Sequence, residues 1–156
     1  MEEKEKIIIT EYKDIYKEQI IKLVGECLVD QLVLSVSCLP IEDDDLQKIP
    51  ELYARRGKFW VALDGSKVVG TVGIREISGA LAKLRRMFVQ KEYRGTGLGQ
   101  QLLDTALQFA RENGYTKITL NTHKKMKRAH HFYKKNKFIL VGEKKGEYKI
   151  CYERNL

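Results

Sequence analysis

Apolar and polar positions change period several times along the chain, and each change marks an element. Ile7-Ile8-Ile9-Thr10 is a β-branched run bounded by charge and predicts a short strand. From Asp14, read as an N-cap, apolar residues recur at Ile15, Ile20, Leu23, Val24, Cys27 and Leu28. That is the spacing of one helical face, and it predicts a helix of about four turns. The stretch 32–40 is apolar without a period. Pro40-Ile41-Glu42-Asp43-Asp44-Asp45 then opens a second predicted helix, ending near Arg56-Gly57, with acids in its first turn where the helix dipole favours them.

Residues 58–63 and 67–74 read as two strands around Asp64-Gly65-Ser66, a hairpin signal. A third strand, Leu81–Val89, completes an antiparallel meander. The turn Tyr93-Arg94-Gly95-Thr96-Gly97-Leu98-Gly99 leads into a helix over 100–113, with Leu98, Leu102, Leu103, Ala106, Phe109 and Ala110 on one face. Asn113-Gly114 closes it. A strand over 117–120, a basic amphipathic helix over 124–135, and strands over 138–141 and 148–152 around Lys145-Gly146 follow. The order is β-α-α-β-β-β-α-β-α-β-β, an α+β (α/β) sheet flanked by about four helices.

The length of 156 residues fits a single domain, 1–156. The amino terminus is charged with both signs and has no apolar region behind it, so no secretory signal is expected. No apolar stretch approaches the roughly 20 residues of a membrane helix. Cys27, Cys38 and Cys151 are widely spaced with no metal-type pattern, which suits a reducing, cytoplasmic setting and predicts no metal. Net charge is +8, but residues 1–116 are close to neutral, while 117–149 hold eleven basic side chains against Glu143 and Glu147. Such a block attracts polyanions, or is simply a solvated face.

A strand feeding a glycine-rich turn that opens a helix is an anion site, because the first helical turn leaves backbone N–H groups unpaired. A P-loop needs Lys-Ser/Thr after its last glycine, where Gln100-Gln101 stands. A dinucleotide fingerprint needs glycine at Gln100 or Leu102 and also fails. The remaining pattern is R-x-x-G-x-G, filled by Arg94, Gly97 and Gly99. With the strand before it, the helix after it and the stretch Ala129-His130-His131-Phe132-Tyr133-Lys134-Lys135-Asn136-Lys137-Phe138, the chain resembles the GNAT superfamily of N-acetyltransferases along nearly its whole length.

The resemblance implies a mixed, mostly antiparallel sheet of six to seven strands, splayed between the strands Leu81–Val89 and 117–120, with acetyl-CoA in the gap. It implies that the CoA pyrophosphate meets backbone amides of Arg94, Gly95, Thr96, Gly97, Leu98 and Gly99, with the Arg94 guanidinium adding a contact. The pantetheine arm would pair with the main chain at Met87, Phe88 and Val89. Leu98 is expected to anchor the helix in the core. Tyr133, on one helix face with Ala129, matches the family tyrosine that protonates the departing CoA thiolate. The Val89 N–H is the expected donor to the oxyanion.

The strand Leu81–Val89 lacks the carboxylate that many relatives use as a general base and carries Lys83, Arg85 and Arg86 instead. Glu76 and His123 are the remaining base candidates, beside deprotonation by solvent. Two positions depart from the family pattern. Met126 stands where asparagine is common. Lys137 stands where a glycine precedes the final aromatic, which costs strain if that residue, or Asn136 beside it, needs positive φ. Glu42, Asp43, Asp44 and Asp45 are read as helix-capping first and as a cation-holding wall second, and the basic run 124–137 as neighbour to the CoA 3′-phosphate.

The reading is acetyl transfer to a primary amine of a small molecule or peptide, with no membrane and no nucleic-acid partner expected and a homodimer left open. A nucleic-acid-binding domain using the 117–149 face and a non-catalytic CoA-binding module are the alternatives.

Overall fold

The structure, a computed structural model, describes residues 6–144 and 146–156. Residues 1–5 and Lys145, within the charged terminus and the last predicted turn, lie outside the described residues. Among those described, seven strands form one sheet in the order β1-β2-β3-β4-β5-β7-β6. The strands are β1 (Ile8–Glu11), β2 (Lys58–Asp64), β3 (Lys67–Glu76), β4 (Leu81–Val89), β5 (Lys117–His123), β6 (Ile139–Lys144) and β7 (Lys149–Asn155). All neighbours pair antiparallel except β4 and β5, which are parallel. The helices are α1 (Lys17–Asp30), α2 (Asp44–Gln47), α3 (Ile49–Leu52), α4 (Leu98–Glu112) and α5 (Lys127–Lys135).

Each face of the sheet buries its own cluster. On one side α4 and α5 bring Leu98, Leu102, Leu103, Ala106 and Tyr133 against Trp60, Val69, Val72, Ile74, Leu84, Ile118 and Leu120. On the other, Ile20, Leu23, Val24 and Cys27 of α1 and Leu46 and Ile49 of α2 and α3 cover Phe59, Val61 and Val68. The strand residues of this second cluster come from β2, β3 and the end of β4, so the same face of β5, β7 and β6 stays outside it.

Three local expectations change. The single helix predicted after Pro40 is two one-turn helices, because Pro50 occupies the first turn of α3 and has no N–H with which to continue α2. Asp14 does not cap a long helix. It opens a 3₁₀ turn ahead of α1, and its carboxylate accepts from the Tyr12 hydroxyl at 3.0 Å. The acidic run divides its labour. Asp43 caps α2, accepting from the Leu46 N–H at 3.2 Å, whereas Asp45 is buried and holds arginines of the sheet.

Lys137 has φ +68, while Asn136 stays at −93. The Phe138 N–H donates to the Tyr133 carbonyl (3.0 Å) and the Lys137 N–H to that of Lys134 (3.2 Å). This is a Schellman close with a lysine at its left-handed position, where glycine is favoured. Lys137 is exposed. Lys137→Gly is therefore expected to stabilise the protein by about 1 kcal/mol, read as a rise of a few degrees in thermal midpoint.

Candidate functional site

Strands β4 and β5 pair only from Leu81 to Lys83 against Lys117 to Thr119, and beyond that they part. The reason lies in β4. Its register against β3 slips between Thr71 and Gly73, so Arg86 and Met87 together oppose Val72. Such a bulge bends its strand and re-aims the residues after it. Arg86 sits there at φ +53, and the Thr71 hydroxyl donates to its carbonyl at 2.6 Å. Both Arg85 and Arg86 consequently reach Asp45, at 3.8 and 3.1 Å, and Arg86 also takes Asp43 at 2.5 Å. A bulge that buried charge pins in this way is costly to undo, since orphaning one partner of a buried pair costs about 3–5 kcal/mol.

The gap opens into a cleft of about 380 Å³. Met87, Phe88 and Val89 of β4, the turn residues Arg94, Gly95, Gly97 and Gly99, and Met126, Ala129, Phe132 and Tyr133 around α5 line it. The Gln90 N–H donates to the Val69 carbonyl at 2.9 Å. Alternation along the antiparallel ladder then aims the Val89 N–H away from β3 and into the gap. The Val89 carbonyl is already engaged, accepting from Arg94 Nε at 3.1 Å and from the Cys27 thiol at 3.6 Å.

At the mouth stands the amino end of α4. Gly97, at φ +89, is its N-cap and supplies no side-chain acceptor, so the first-turn N–H groups have no capping partner. Arg94 is ion-paired with Asp30 at the end of α1, and that hydrogen bond holds the Asp30 carboxyl below the usual carboxylate range. Arg94 Nη2 is buried without a protein partner. An orphaned guanidinium nitrogen beside free helix N–H groups suits a phosphate. Arg128 and Lys135 of α5 add charge to the opposite wall.

Tyr133 is 7% exposed and packs against Phe132, Phe138 and Tyr152 with centroids 5.5, 5.4 and 6.3 Å away. Burial alone pushes its phenol above the usual range, so the hydroxyl stays protonated. Thr96 and Leu98 do not line the cleft. Thr96 is exposed and its hydroxyl donates to the Tyr93 carbonyl at 2.5 Å, closing the turn, while Leu98 is buried in the α4 core.

The two base candidates lie elsewhere. Glu76 pairs with Ala82 at the closed end of the sheet, far along β4 from Val89, and its carboxylate holds Arg56 at 3.2 Å. It brings no group to the cleft. His123 ends β5 on the splayed side but does not line the cleft. Its Nδ1 accepts from the Lys125 N–H at 3.1 Å. A neutral ring bonded in this way carries its proton on Nε2 and has no spare lone pair. Burial first, then Lys125 and Lys149, lower its pKa.

Sequence reasoning passed over Gln31 and Phe132 as cleft residues, whereas Arg128 fell within the basic run set beside the CoA 3′-phosphate and Met126 had been singled out. For Met126 the signal was the family asparagine position. Gln31 had none, because it arrives from the end of α1 across the fold.

Comparison with known proteins agrees with this geometry. The acetyltransferase from Streptococcus agalactiae superposes with a TM-score of 0.86 at 29% identity, covering 96% of this chain and 98% of that one. The paia N-acetyltransferase from Thermoplasma acidophilum, solved in complex with coenzyme A, shares the fold with a TM-score of 0.74 at 20% identity over 97% and 99%. N-acetyltransferase 8B of Rattus norvegicus is 39% identical over 90 residues, 54% of this chain, and the match spans 40% of the rat protein's length. The sequence pattern of the Acetyltransferase (GNAT) family matches residues 22–138, across the splayed strands, the glycine turn and the Tyr133 helix, and the chain belongs to that family.

Proposed function

We propose that the protein transfers an acetyl group from acetyl-CoA to a primary amine. The observation that carries this reading is the splayed gap itself. One cleft joins uncapped helix N–H groups and the Arg94 nitrogen without a partner to the free Val89 N–H and the Tyr133 phenol. An elongated phosphate-bearing thioester matches that sequence of donors.

Acetyl-CoA supplies the acyl group as a thioester. The backbone at Gly97–Gly99 and Arg94 bind its phosphates, and Arg128 and Lys135 flank the charged end. The Val89 N–H faces the carbonyl oxygen as negative charge develops there. The amine nitrogen bonds to the carbonyl carbon and the C–S bond breaks. Tyr133 gives its proton to the sulfur and is reprotonated by the N–H proton that the attacking nitrogen sheds as the amide forms. The lone pair of His123 is committed and Glu76 is remote, so solvent at the cleft mouth takes the proton of the ammonium form before attack. The rate constant kcat/KM is then expected to rise with pH along the acceptor's own titration. No separate step from an imidazole is expected.

The test is calorimetric titration with acetyl-CoA and CoA, followed by a CoA-release assay against a broad amine panel. Micromolar binding and release with at least one amine are expected. A folded protein that binds neither nucleotide would sink the proposal.

A further inference from the structure

The sheet face opposite α4 and α5 carries an excess of cations. Directly opposed residues on neighbouring strands point to the same side. Arg75 of β3 therefore shares a row with Lys83 of β4, Thr119 of β5 and Glu153 of β7. Arg85 lies on the same side of β4, and Asn121 and Cys151 pair across β5 and β7, followed by a row of His123, Lys149 and Lys144. The bulge adds Arg86.

The carboxylates here are already committed. Asp45 serves Arg86 at 3.1 Å, Arg75 at 3.3 Å and Arg85 at 3.8 Å, and also accepts from the Tyr53 hydroxyl. Asp43 serves Arg86 and the α2 cap. Glu153 pairs with Lys117 and Glu147 with Lys149. Lys83 has no acidic partner among the described residues. Half-buried, it has its pKa lowered by burial, then by Arg85, Lys144, Lys149 and Arg75, so the local potential is positive and uncompensated. Arg85 meets Asp45 only at long range, which leaves its donors free.

Lys83 and Arg85 are two residues apart on one strand, about 7 Å, a span that a carboxylate or phosphate group bridges. They share that strand with Met87 and Val89, the edge where acetyl transfer is proposed. A polyamine or lysine-rich peptide would meet repulsion on this face.

We propose that the acceptor is an anionic amine, a primary amine whose molecule carries a carboxylate or phosphate held by Lys83 and Arg85. The inference rests on the acetyl-transfer reading and names its substrate class.

Two matched pairs test it: tyramine against tyrosine for the carboxylate, and ethanolamine against phosphoethanolamine for the phosphate. The anionic member of at least one pair is expected to show kcat/KM at least tenfold higher, mainly through KM, and the pair that responds identifies the anion. Lys83→Gln is expected to shrink that preference about tenfold by raising KM, and Lys83→Glu to invert it, with thermal midpoints near wild type. Equal use within both pairs, or preference for the neutral members, overturns the proposal while leaving acetyl transfer standing. So does failure of both anionic amines when the amines of the broad panel that are acetylated carry no anionic group. Failure of the entire panel instead removes the acetyl-transfer reading beneath it.

Discussion

Gly99→Glu is expected to weaken acetyl-CoA binding at least 100-fold while leaving the fold intact. Gly99 lies in the first turn of α4 in ordinary helical geometry. A Cβ there would meet Val89 Cγ2 at 3.8 Å, Met87 Cε at 3.9 Å and Phe132 Cε2 at 4.0 Å, which are normal contacts. The first carbon therefore fits without strain. The rest of the side chain must enter the cleft, and its carboxylate would stand where the phosphates are proposed to bind. A hundredfold loss corresponds to about 2.7 kcal/mol, well within reach of a displaced anion and a blocked slot. Removing a helical glycine contributes up to about 1 kcal/mol in the stabilising direction, so the thermal midpoint should hold or rise. Gly97 is the less clean site for this experiment, because its φ of +89 would add backbone strain to any substitution. Calorimetric titration beside thermal unfolding reads both quantities. Retained micromolar affinity in a folded Gly99→Glu protein would remove the phosphate assignment from this turn.

Tyr133→Phe is expected to lower kcat by about 10²–10⁴ with KM for acetyl-CoA within twofold. The ring is held by aromatic neighbours on three sides, and phenylalanine keeps that packing. Only the proton donor is lost. The sign of the pKa shift bears on the pH profile. Burial raises the phenol, so the protonated, donating form persists above the ordinary tyrosine value near pH 10. The wild-type kcat should show no descending limb from Tyr133 below about pH 10. A Phe variant with wild-type kcat would reassign the proton to solvent and leave Tyr133 a packing role.

Much of the fold was legible from local pattern, for reasons that individual residues show. The meander β2–β4 was visible because β-branched runs alternate with a two-residue Gly65-Ser66 turn, and α4 because its apolar positions keep one face over four turns. The helix after Pro40 was misjudged in its continuity, since the effect of Pro50 depends on where the preceding helix stops. Asp14 was misjudged as a cap because a hydroxyl two residues back, Tyr12, captured its carboxylate. Asp43 and Asp45 look alike in the sequence, yet one caps a helix and the other is buried among three arginines that lie 30 to 41 residues later.

The candidate site divides along the same line. The anion turn is a local device, carried by Arg94, Gly97 and Gly99 within six residues, so the sequence by itself determined it, together with the order of elements and the family. The splay and the Val89 N–H donor were expected through the family resemblance alone, while their cause in the bulge, the remoteness of Glu76 and the bonded state of His123 were decided only in three dimensions. Each depends on which strand lies beside which. The bulge at Arg86 is held by carboxylates from α2 and a hydroxyl from β3, contacts between segments far apart in the chain that short-range periodicity does not encode.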